Sequence, residues 1–289
     1  MADSAVVHKR RFGSRWLIIG AIALLFVLVI AAVLTGAAGA SGAIQDADKT
    51  VKTTIDHQKT VGSTLATDPF KDIDFKSQNP DMAAAKSALA AYESQISRAR
   101  TLVKADRTRL LAVEQGLAGS VFTVPERATL DQRRHRVEAA LTALEKAQRA
   151  LDLNQKVADF AHPFFDAMAA LEAFNKSIQA NDIAGMLSQL QAAQDGVNKA
   201  LDLAKPPAIP PQFERLLTSF NFLLTDIQGL LNAAQAHDAA GVQRYLEAGR
   251  GAVNGLSEYD PQTVDKYYTE LLGPLRDAYQ TNLRVAAGA

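Results

Sequence analysis

"QANDIAGMLSQLQAAQDGVN" occupies residues 179–198, and "QAHDAAGVQRYLEAGRGAVN" occupies residues 235–254, an offset of 56. Nine of the twenty paired positions are identical: Gln, Ala, Asp, Ala, Gly, Leu, Ala, Val and Asn. In each copy one helix stops, an aspartate (Asp182 or Asp238) caps, and a new helix starts. Proline follows each arm, at Pro206, Pro207, Pro210 and Pro211 in the first copy and at Pro261 in the second. It ends the arm because it has no amide hydrogen to continue the helix. The unit is a helical hairpin, which buries little alone and must stack on a neighbour. Two copies and a closing helix from Thr263 to about Val285 predict a helical bundle over residues 161–289. Chance likeness between amphipathic helices is the competing explanation.

Upstream the same helical period is stronger. Leu89, Tyr92, Ile96, Ala99, Val103, Asp106, Leu110, Val113 and Leu117 alternate in steps of three and four, with Asp106 the one polar intruder. Such a stripe is a coiled-coil seam. Asp81 suits the N-cap of this helix, and Gly116 and Gly119 suit its end. A returning helix carries Val137, Leu141, Leu144, Ala147, Leu151 and Ala158. Short turns favour antiparallel neighbours. Residues 81–160 are therefore expected to form an antiparallel coiled-coil hairpin, although the same seam could pair two protomers.

The N-terminal region is of another kind. Trp16–Leu34 carries no charge, and a helix of that length spans roughly 28 Å, close to the hydrocarbon thickness of a bilayer. Lys9, Arg10, Arg11 and Arg15 precede it, and no charge appears after it until Asp46. Basic residues stay on the cytoplasmic side. The expected layout is a basic cytoplasmic tail (1–15), a transmembrane helix (16–35), and a juxtamembrane helix with a polar linker (36–80). In the latter, Ile44, Ala47, Val51 and Ile55 share one side. Cleavage before Ser41, after the small residues of "AGA", is the competing fate, but the apolar block is longer than a signal-peptide core. The fold class expected of the whole is all-α: a transmembrane helix, the hairpin and the repeat bundle. No stretch shows the period-two alternation of strands.

Composition narrows the chemistry. The chain has no cysteine, hence no disulfide, thiolate metal site or cysteine nucleophile. Residues 1–36 hold four Lys/Arg and one Asp, which leaves 27 Lys/Arg against 30 Asp/Glu in the rest. A mildly acidic body gives no electrostatic reason to expect nucleic acid as partner. His8 falls in the cytoplasmic tail, His57 and His135 among charged helix-surface residues, and His237 beside the Asp238 cap. His162, in "DFAHPFFD", shares a helical spacing with Asp159 and Asp166 and is the one trio a metal could use. No Glu-x-x-His or His-Glu-x-x-His accompanies it, so a surface histidine at a helix junction is expected, with Pro163 kinking or starting a helix there. Asp68, Asp72 and Asp74 lack the glycine and spacing of a calcium loop. Phe160, Phe164, Phe165, Phe174, Phe213, Phe220 and Phe222 read as packed core, with an apolar ligand pocket as the alternative. No catalytic, metal or cofactor residue is assigned, and no enzyme is expected.

The anchor-then-helices layout is similar to the outer domains of bacterial chemoreceptors and sensor kinases, but their second membrane helix and output module have no counterpart in this sequence. It also resembles LemA-type envelope proteins in layout, without their tyrosine–asparagine and arginine-rich signature. Neither resemblance carries over a residue. The functional expectation is a single-pass, extracytoplasmic binding or scaffolding module. Its partners would be the bilayer through Trp16 to Leu34 and either a protein or a second copy. The alternative is a sensor or carrier that holds a small apolar ligand between helices of the second half.

Overall fold

The computed structural model of the chain describes residues 41–69, 81–119, 127–256 and 260–288. Among the described residues the fold is all-α, with no strand. Residues 41–66 belong to α1. Five long or medium helices come after it: α2 (Met82–Gly119), α3 (Arg127–Gln179), α4 (Ile183–Leu203), α5 (Pro211–Gln235) and α6 (Ala239–Leu256). The last is α7 (Pro261–Ala287). The expected membrane span Trp16–Leu34, and Asp72 and Asp74, lie outside the described residues. No described helix is long and apolar enough to cross a membrane.

Helix starts follow the aspartates. Asp81 Oδ1 accepts from the Ala84 amide at 2.8 Å, and Asp260 Oδ1 accepts from the Gln262 amide at 3.0 Å. Each satisfies an amide that the first helical turn leaves without a partner. Thr263 Oγ1 donates to Asp260 as well, and these bonds hold its carboxyl below the ordinary carboxylate range. At the far end Gly288 takes a left-handed φ of 84°, so its amide can turn back to Arg284 O and Val285 O.

α2 and α3 lie side by side in opposite directions. Arg134 donates to Leu117 O at 2.8 Å, Arg100 pairs with Asp152 at 2.7 Å, His162 with Glu93 at 2.9 Å, and Lys86 with Asp166 at 2.6 Å. As the α2 number falls, the α3 number rises. The apolar stripe of α2 is buried from Leu89 to Leu117, with Val113 half-buried. The juxtamembrane helix expected within residues 36–80 corresponds to α1, and the side that carries Ala47 and Val51 has a partner. Ala47, Val51, Val61 and Leu65 share one core with α2, α3 and the end of α7, including Tyr279 and Ala286. Asp48 of α1 anchors this arrangement by pairing with Arg133 at 2.8 Å and Arg136 at 3.1 Å.

α3 runs unbroken through residues 160 and 161, with Pro163 inside it. Its second half forms another core with α4, α5 and the first half of α7, built on Phe160, Phe174, Leu190, Val197, Leu217, Leu224 and Leu272. Phe160 meets Phe213 edge-on at 5.4 Å and stacks with Phe164 at 6.0 Å. Phe222 departs from the expected aromatic core, with 63% of its surface exposed.

Candidate functional site

The turns that open α4 and α6 are built from the same bonds, 56 residues apart. Asp182 N donates to Ser177 O and Asp238 N to Ala233 O. Asn181 N donates to Ile178 O, and His237 N to Ala234 O. Asn181 and His237 carry positive φ of 51° and 56°, a region few residues other than glycine and asparagine enter cheaply. Asp182 Oδ1 accepts from Gly185 N and Asp238 Oδ1 from Gly241 N, both at 2.9 Å. A Cβ on Gly185 or Gly241 would strike the capping carboxylate, which explains why glycine stands at both positions.

Past the turns the two hairpins part company. On α4, Leu190, Ala193, Gln194 and Val197 are buried. α5 covers them: Gln194 Nε2 donates to Thr225 Oγ1 at 3.1 Å, and Asn221 Nδ2 to Asn198 Oδ1 at 2.9 Å. Leu217 and Leu224 of α5 are fully sealed in this contact region. The matching positions of α6 are Leu246, Gly249, Arg250 and Val253. These same four line an open groove of about 580 Å3, with Leu223, Asp226, Ile227 and Leu230 of α5 opposite. Leu190 and Val197 are 0% exposed, whereas Leu246 is 45% and Val253 51% exposed. Of helices α2–α7, only α5 packs substantially against α6. The floor is tight, since a Cβ on Gly229 would collide with the Tyr245 ring, over which Arg244 stacks at 5.0 Å.

The groove is therefore apolar, bounded by one acid and one base, and its apolar side chains remain in water. Half-exposed Leu and Val side chains each leave about 1 kcal/mol of burial ungained. The sequence marked this half of the chain for an apolar site through its phenylalanines, but six of those pack inside and only Phe222 is left out. The residues that line the groove were legible only as the second copy of the repeat.

Other candidates separate by their contacts. The Asp159, His162 and Asp166 trio takes three different partners: Gln155 Nε2 at 2.9 Å, Glu93 and Lys86. Among the described residues no cluster of three metal-ligating side chains forms. His57 is not a simple surface residue. Its Nδ1 lies 2.9 and 3.0 Å from the two carboxylate oxygens of the buried Asp106, which also lies 3.7 Å from the Arg109 guanidinium. The polar intruder of the α2 stripe thus faces α1. A smaller cavity of about 270 Å3 is lined by Asp68, Leu89, Tyr92, Asn154, Tyr268 and Arg276, among others. Burial pushes the Tyr92 hydroxyl up to about 12, with Arg276 opposing and Asp68 adding. Tyr279, bonded to Gln58, is raised by burial as well. These groups are tied into the α1–α2–α3–α7 core.

No family model, curated protein or solved structure matches the chain. Its surface has to be understood from its own geometry.

Proposed function

We propose that this chain is a membrane-anchored binding or scaffolding module of the cell envelope, single-pass, with the N-terminus in the cytoplasm and the helical body outside. The exposed apolar groove between α5 and α6 is the observation that carries the binding role: Leu246 and Val253 on its wall are exposed where helices ordinarily hide such residues. The anchor rests on Trp16–Leu34 and the basic residues before it. On this reading α2 and α3 form a coiled-coil hairpin that spaces the binding end. The two hairpins, α3–α4 and α5–α6, are copies of one unit, a view supported by their matching turns. Tethering raises the local concentration of the face at the membrane, so modest affinity suffices.

Two measurements test this. Alkaline extraction should leave the full chain in the membrane pellet, and protease added to intact cells should remove residues 41–289. A soluble chain, or a shielded C-terminus, contradicts the anchor or its orientation. The second reading, a carrier of a small apolar ligand, is favoured by the groove's volume of about 580 Å3. Native mass spectrometry separates the two, because a carrier purifies with lipid or another apolar molecule bound.

A further inference from the structure

We infer that the α5–α6 groove is closed by the same face of a second copy of this chain, the two α6 helices packing antiparallel about a two-fold axis. The inference rests on the binding role of this face and names its partner; it does not require the anchor. A two-fold contact demands that one patch be both lock and key, since it meets itself. α6 meets that demand. The helix that fills the corresponding groove on α4 is α5, which offers Leu217 and Leu224, seven residues apart and both sealed. α6 exposes an apolar pair of the same spacing, Leu246 and Val253, and these also form a wall of its own groove. It can therefore fill a groove identical to the one it lines.

Charge points the same way. Asp226 on α5 and Arg250 on α6 stand on opposite walls, and neither makes an ion pair among the described residues. Across a two-fold axis Asp226 of each copy meets Arg250 of the other, so opposite charges are matched twice. A groove shaped for an unrelated acidic or basic helix would carry a single sign. Between the charges lies Gly249, where a Cβ would find Leu223 Cδ1 at 3.7 Å and Asp226 Cβ at 4.0 Å. α7 does not supply that helix. It lies along α3 instead, its Tyr279 and Ala286 buried in the first core.

The experiment uses the full-length chain in mild detergent, read by native mass spectrometry and sedimentation. Wild type should be dimeric at micromolar concentration. Asp226→Arg and Arg250→Asp should each weaken self-association by at least about tenfold, because like charges then face each other twice. Mixed together, these two variants should form a heterodimer, since only the mixed pair restores both contacts. Circular dichroism should show both still helical, as neither side chain is paired within the chain. Leu246→Asp should also give monomer. Association that ignores Leu246→Asp, or single variants that fail to pair when mixed, overturns the two-fold contact. A wild-type monomer carrying an apolar molecule overturns it too, but leaves the face a binding surface. A wild-type monomer with an empty groove removes both.

Discussion

Leu190 and Leu246 occupy the same step after the same turn, yet one is sealed and the other is half in water. The bonds that open α4 and α6 coincide one for one across 56 residues. Local sequence therefore makes both hairpins alike, and the difference lies in the path of the next helix. α5 folds back over α4, whereas α7 leaves α6 and joins α3. Burial is a property of neighbours, and the described residues supply one neighbour too few for two such faces.

The comparison breaks most visibly when the same side chain is removed from each copy. Leu190→Ala should cost about 2–5 kcal/mol in urea unfolding, the range for a buried leucine that leaves a cavity. Leu246→Ala in a monomeric state should cost under about 1 kcal/mol, because half of that side chain is already solvated. Equal losses would mean the faces are equally covered.

Alkali probes another sealed region, the α1–α2–α3–α7 core. Tyr92 and Tyr279 belong to the α1–α2–α3–α7 core, and burial raises both hydroxyls. A raised acid favours its neutral form in the fold. Its stabilisation is complete below the ordinary value of 10.0 and is lost as pH climbs through about 12. Tyr92 alone should account for on the order of 2–3 kcal/mol of that loss. Tyr92→Phe should flatten the decline between pH 10 and 12 in a pH series of denaturant melts.

Gly196 and Ala252 offer a third point of comparison. A Cβ on Gly196 would sit 2.8 Å from Pro163 O and 2.9 Å from the Ala167 Cβ, so α4 rides directly on α3. Gly196→Ala, which gives α4 the residue α6 already has at 252, should destabilise by about 1–3 kcal/mol through overpacking. The smallest paired effect should be the most even one. Asp182→Ala and Asp238→Ala should each cost about 1 kcal/mol, because the two caps make the same bond at the same distance. Unequal costs would show that the turns are less alike in solution than in their hydrogen bonds.

Much of this was visible in the residues themselves. The offset of 56, the caps at Asp81, Asp182 and Asp238, the stripe from Leu89 to Leu117 and the helix closing the chain all come from local chemistry and helical period. Periodicity names a face but not what covers it. For that reason the sequence put Asp106 in a seam with α3 when it faces His57 of α1, and counted Phe222 among core aromatics when it stands in solvent. Pro163 likewise reads as a junction, yet α3 continues through it, buried on both sides of that point at Phe160, Ala161, Phe165 and Ala167. The groove itself was out of reach, because Leu246 and Val253 carry the same letters as their buried counterparts Leu190 and Val197.

Hydrogen–deuterium exchange of the full-length chain at several protein concentrations tests the central claim most directly. α6 should exchange faster than α4 when dilute and slow markedly as concentration rises, while α4 stays constant throughout. If α6 and α4 exchange alike at every concentration, the two faces are equally covered within one chain and the contrast between them is contradicted.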